Sequence, residues 1–143
     1  MQRRDFLKGA CKICLLGTAM STVAADLSSC SPKTAANTFR PPVNNNQVEV
    51  PLSMFETKPF LVVSPAKYQF EIAIEKKQDN TYKALLLKCT HQDNQLTITG
   101  NGYTCNMHGS KFNKAGSILK GPAELPLQQL KTQIINNNLL IHL

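Results

Sequence analysis

Cys89-Thr90-His91 and Cys105-Asn106-Met107-His108 place two thiols and two imidazoles within the stretch from Lys88 to Phe112. The whole chain has five cysteines and three histidines, so soft metal ligands are concentrated here as nowhere else in it. Thiolate and imidazole together suit zinc or an iron–sulfur cluster. Zinc sites commonly pair like with like, as C-x2-4-C and H-x3-5-H. Each half of this motif instead supplies one Cys and one His, at unlike spacings. That pattern fits a binuclear cluster whose two irons make different demands, one taking both cysteines and the other both histidines. On the residues alone, zinc stays open.

The elements that must bring the two halves together are short strands. Gln47–Leu52 and Pro59–Ser64 are β-rich runs interrupted by Pro. Tyr68–Lys76 alternates apolar Phe70, Ile72 and Ile74 with polar neighbours, the pattern of a half-buried strand. Gln78-Asp79-Asn80 turns it into Thr81–Cys89, a hairpin that feeds into Cys89. Gln95–Thr99, the turn Gly100-Asn101-Gly102 and Tyr103–Cys105 form a second hairpin, ending on Cys105. Each Cys-His pair is thus expected at a hairpin tip, where two loops can converge on one point. Lys114–Pro126 is loop-rich, with one short strand at most, and Leu127–Leu143 reads as two strands around Asn136-Asn137-Asn138. His142 falls in the last strand and reads as a structural edge residue. No segment sustains a helical period, so the fold class is all-β.

Cys89-Thr90-His91 followed by Cys105-Asn106-Met107-His108-Gly109-Ser110 resembles the Rieske [2Fe–2S] signature, C-x-H then C-x-x-H. The continuation, Gly109 to Leu130, is similar as well, including a Gly121-Pro122 loop that in the family covers the cluster. The likeness runs over residues 47–143. It implies a Rieske-type antiparallel β-sandwich with an inserted cluster-binding subdomain, and one [2Fe–2S] cluster as cofactor. By the same resemblance, Cys89 and Cys105 hold the buried iron, His91 and His108 hold the outer one, and Ser110 donates a hydrogen bond to the cluster. The departures matter too. Asn94 and Met107 stand where the quinol-oxidising branch has the two cysteines of a disulfide clip. Gln92 replaces a Leu after the first His, and Phe112 replaces a Tyr donor. These changes point away from direct quinol oxidation and toward a ferredoxin-like carrier.

The chain of 143 residues has room for one such domain plus a leader. Residues 1–29 read as an export signal. Arg3-Arg4-Asp5-Phe6-Leu7-Lys8 resembles a twin-arginine motif, and a mildly apolar stretch follows from Gly9 to Ala25. Leu27-Ser28-Ser29-Cys30 resembles a lipobox, making Cys30 the lipidation candidate. The rival reading keeps the apolar stretch as an uncleaved N-terminal anchor. Cys11 and Cys14 form a C-x-x-C inside that leader, where no folded site surrounds them, and are set aside. Residues 30–46, rich in Pro, Asn and Ser, read as a membrane-proximal linker.

The net charge is +7, and +5 from Cys30 onward, with twelve basic against seven acidic residues. Basic stretches are short and no aromatic-basic alternation marks a nucleic-acid surface. The expectation is a single-electron carrier on the periplasmic face of a membrane, held there by a lipid or an anchor. Its partners would be redox proteins, a cytochrome or a membrane oxidoreductase, and no residue is assigned a catalytic role. The other expectation kept open is the small iron–sulfur subunit of a periplasmic oxidoreductase or of a quinol-oxidising complex.

Overall fold

The computed structural model describes residues 39–143. The twin-arginine motif, Cys11, Cys14, Cys30 and the first part of the linker lie outside the described residues. Among the described residues twelve strands follow in order: β1 Val43–Asn44, β2 Gln47–Pro51, β3 Phe60–Val63, β4 Ile72–Lys76, β5 Tyr82–Leu86 and β6 Thr97–Thr99. Then come β7 Gly102–Thr104, β8 Lys111–Asn113, β9 Ile118–Lys120, β10 Gln129–Leu130, β11 Thr132–Ile135 and β12 Asn138–His142. One 3-10 turn, Leu52–Phe55, is the only helical piece among the described residues. The all-β expectation holds.

The strands form three four-stranded sheets, ordered β1-β2-β12-β11, β10-β5-β4-β3 and β6-β7-β8-β9. The first two face each other across one core. Val48 and Val50 of β2, Leu139 and Ile141 of β12, Ile72 and Ile74 of β4, and Ala84 and Leu86 of β5 are all buried there. The third sheet is inserted between β5 and β10 and covers the other face of β4 and β5. There Ala73, Leu85 and Leu87 pack on Leu96, Tyr103, Phe112, Ala123, Leu127, Cys89 and Cys105. Strand β4 is therefore buried on both faces at its start rather than half-buried, because a second layer closes over Ala73.

Three local readings differ from the expectation. Residues 39–46, read as linker, belong to the sheets: Val43 pairs with Val48, Phe39 bridges to Val63, and Pro41 is fully buried. Composition hid this, because Pro and Asn are also what a tight strand entry and turn require; Asn45 and Asn46 both have positive φ. Strand β12, which carries His142, lies between β2 and β11 and is not an edge. His142 is half-buried with its Nδ1 3.3 Å from Gln47 Nε2, a structural contact. The short strand β8 was not anticipated. Gly102 permits it: φ is +150°, and a Cβ there would strike the Phe112 carbonyl oxygen of β8.

Candidate metal centre

The inserted sheet exists to hold three loops at one end. Strand β5 runs on through Leu87 and Lys88 into Cys89, and the first loop closes where Lys88 bridges Gln95. Within it the Cys89 N–H donates to the Asn94 carbonyl at 2.8 Å, and Lys88 Nζ lies 3.1 Å from Asp93 Oδ1. The second loop is the β7–β8 hairpin. Its Cys105 N–H donates to the Ser110 carbonyl at 2.8 Å, and Gly109 N–H returns to the Cys105 carbonyl at 3.0 Å. Asn106 Nδ2 adds a bond to Thr97 Oγ1 at 2.9 Å, anchoring the tip to β6. The Cys-His pairs do sit at loop tips, though the first is the tip of the β5–β6 connection rather than of the β4–β5 hairpin.

The third loop, residues 121–127, hangs from the other two by one bond each. Thr90 Oγ1 donates to the Leu125 carbonyl at 2.6 Å. Ala123 N–H donates to Ser110 Oγ at 3.1 Å. Thr90, the spacer of C-x-H, carries the hydroxyl that fastens the covering loop. Its position between two ligand residues was the available signal. Nothing in the sequence marked Ala123, which acts through its backbone alone.

The four candidate ligands separate into an inner and an outer pair. Cys89 and Cys105 are each 1% exposed and neither forms a disulfide. His91 and His108 are exposed, their ring centroids 5.1 Å apart and nearly perpendicular. Burial pushes the Cys89 thiol up. The backbone N–H groups of His91 and Gln92, then the side chains of Cys105 and Ser110, outweigh it and hold the group below the ordinary thiol range. Donors aimed at that sulfur favour the thiolate, the form a metal ligand needs. Among the described residues, no three His, Cys, Asp or Glu side chains gather tightly enough to hold one metal ion. Two separate pairs, sulfur inside and nitrogen outside, suit a two-iron cluster.

Residues 47–131 match the family model of the Rieske [2Fe-2S] domain. The chain belongs to the Rieske [2Fe–2S] family. Over 71 residues it is 35% identical to cytochrome b6-f complex iron-sulfur subunit 3 of Nostoc sp. PCC 7120, covering 46% of this chain and 39% of that protein. Over 41 residues it is 42% identical to the corresponding subunit of Chlorobaculum thiosulfatiphilum, covering 29% of this chain and 23% of that one. The chain thus spans about two fifths or less of the length of these curated relatives. A crystal structure of the cyanobacterial plasma membrane Rieske protein PetC3 from Synechocystis PCC 6803 superposes with a TM-score of 0.52 at 26% identity. That match covers 67% of this chain and 99% of the other. Naphthalene 1,2-dioxygenase shares the fold at 16% identity and a TM-score of 0.50. As a Rieske [2Fe–2S] domain this chain carries a Rieske-type [2Fe–2S] cluster. The donor set fits that group: two unpaired buried thiols, two surface imidazoles, and hydrogen-bond donors already turned toward the Cys89 sulfur.

Proposed function

We propose that this chain is a tethered single-electron carrier, exported across a bacterial cytoplasmic membrane, that passes electrons between redox proteins on the far side. Cys89 and Cys105 would hold the inner iron, His91 and His108 the outer one. The observation that carries the reading is that each of two loops bears one exposed imidazole and one buried thiol, which supports electron exchange at the protein surface. When bound, the cluster supplies a one-electron couple, its potential raised by neutral imidazole ligands relative to four thiolates. The chain's own residues do the rest. They bury the sulfur side from water, turn donors toward Cys89, and leave the nitrogen side open to a partner. Two measurements test this. The purified protein should be reddish-brown and give a Rieske-type EPR signal when reduced, and His91→Ala should lack it. A colourless wild type with one bound zinc would overturn the assignment.

The tether rests on the leader. Cys30→Ser should move the protein from the membrane to the soluble fraction or stall its processing. Unchanged fractionation with unchanged mass points to the uncleaved anchor instead. A second reading, the iron–sulfur subunit of a quinol-oxidising complex, is supported by the b6-f names of the relatives. It is supported also by Met107 and Leu125, each 65% exposed in the loops around the histidines. Stoichiometric co-purification with a cytochrome b from detergent-solubilised membranes favours the complex; isolation as a free, re-oxidisable protein favours the carrier.

A further inference from the structure

Strand pairing in the inserted sheet sets four residues in a row across its outer face. Thr97 pairs with Thr104, Thr104 with Lys111, and Lys111 with Lys120. Directly paired residues share a face, and the opposite face is accounted for by Tyr103 and Phe112, which are buried. Both lysines are exposed. Two like charges directly opposite on neighbouring strands destabilise a sheet. Among the described residues the ion pairs are Lys77–Glu75 and Lys88–Asp93, and neither relieves this pair. The β9 strand also carries a bulge. One step along β8, from Lys111 to Phe112, matches two steps along β9, from Lys120 to Ile118. The extra residue is Leu119, 63% exposed.

We propose that the row Thr97, Thr104, Lys111 and Lys120, with Leu119 beside it, is the docking surface for a carboxylate-bearing face of a redox partner protein. Charge complementarity names the occupant: two ammonium groups and two hydroxyls, with no carboxylate in the row. Position ties the surface to the metal centre. Lys111 directly follows Ser110, and Lys120 directly precedes Gly121, which opens the loop fastened to both ligand loops. Lys111 follows His108 by three residues, so a partner held on this row meets the strand that leaves the second ligand loop. The lysines steer and orient it, while Leu119 gives an apolar contact. The proposal rests on the electron-carrier reading for the kind of partner, but the binding itself does not require the cluster.

The test uses the full-length protein in phosphatidylcholine nanodiscs, with the cluster checked by its spectrum. Binding to immobilised poly-L-glutamate is compared between wild type, Lys111→Gln/Lys120→Gln, Lys111→Arg/Lys120→Arg and a control, Lys67→Gln/Lys131→Gln, which removes the same charge elsewhere. Loss of two exposed ion pairs should weaken binding about tenfold in the first Gln variant. The Arg variant should bind as wild type does, and the control should change by less than about twofold. Equal weakening in both Gln variants would show that only net charge acts, and would overturn the proposal. So would a wild type that does not bind poly-L-glutamate. If the Lys111/Lys120 variant instead loses phosphatidylglycerol vesicles while keeping poly-L-glutamate, the face meets lipid and the proposal fails. A colourless wild type that still binds through this pair sinks the carrier reading and leaves the surface standing.

Discussion

At Ser110 one hydroxyl ties the covering loop to the second ligand loop. It is fully buried, its oxygen accepts from the Ala123 N–H, and its side chain is one of the groups that hold the Cys89 thiol low. A donor aimed at the sulfur side stabilises the charge added on reduction. A charge-assisted hydrogen bond contributes about 1.5–3 kcal/mol, which for a one-electron couple is about 60–130 mV. Ser110→Ala should therefore lower the midpoint potential by about that amount, read by protein-film voltammetry. Phe112 is 1% exposed and packs in the same core as both cysteines, but offers no hydroxyl. Phe112→Tyr should raise the potential by a similar amount, roughly 60–130 mV. An unmoved potential in Phe112→Tyr means that the ring edge does not face the sulfurs. Residue type and spacing single out the four candidate ligands and Ser110, since metal chemistry is selective about both. The bond that orients Ser110 was not legible, because its donor is a backbone N–H that every residue but proline carries.

Between elements, the clasp of the covering loop is held by hydroxyls where a disulfide would otherwise tie the ligand loops. Asn94 and Met107 cannot form that clip, and Thr90 Oγ1 instead bonds the Leu125 carbonyl. Thr90→Val keeps the shape and removes the donor, at a cost of about 0.5–1.5 kcal/mol. In a domain of this size about 1 kcal/mol lowers the melting temperature by roughly 4–8 °C. The variant should also release its cluster faster, and Thr90→Ser should restore both properties. Normal cluster retention in Thr90→Val would show that the loop is held by packing alone. The hairpins β4–β5, β6–β7 and β11–β12 were readable from alternation and turn residues, and Asn136 and Asn137 do take positive φ. Strands β1, β8 and β10 were not. Two or three residues are too few to show a period, and their partners are set by tertiary packing.

On the scale of the whole molecule, β4 and β5 form a wall between two cores. The sandwich core behind it is built from long aliphatic side chains of both large sheets. The core in front is smaller, and two of its buried members are Cys89 and Cys105. As the proposed ligands, these thiols would be paired with the metal when it is present and leave weakly held sulfur when it is absent. Metal binding of this kind is folding free energy for whatever the metal joins. The two halves of the molecule should therefore differ in their dependence on the cluster. In His91→Ala, amide hydrogen exchange should show the inserted sheet, β6 to β9, losing protection by at least about tenfold, or about 1.4 kcal/mol of local stability. Val48, Val50, Ile72, Ile74, Leu139 and Ile141 should keep theirs, because all six belong to the sandwich core. Lys83 Nζ, bonded to the Ala115 carbonyl at 2.6 Å, is one strap that still holds the loosened sheet to the wall. Adding Lys83→Met to His91→Ala should then deepen the loss in β8 and β9 without reaching the sandwich. Uniform loss of protection across all three sheets would mean that the wall transmits the damage and that the two cores fold as one.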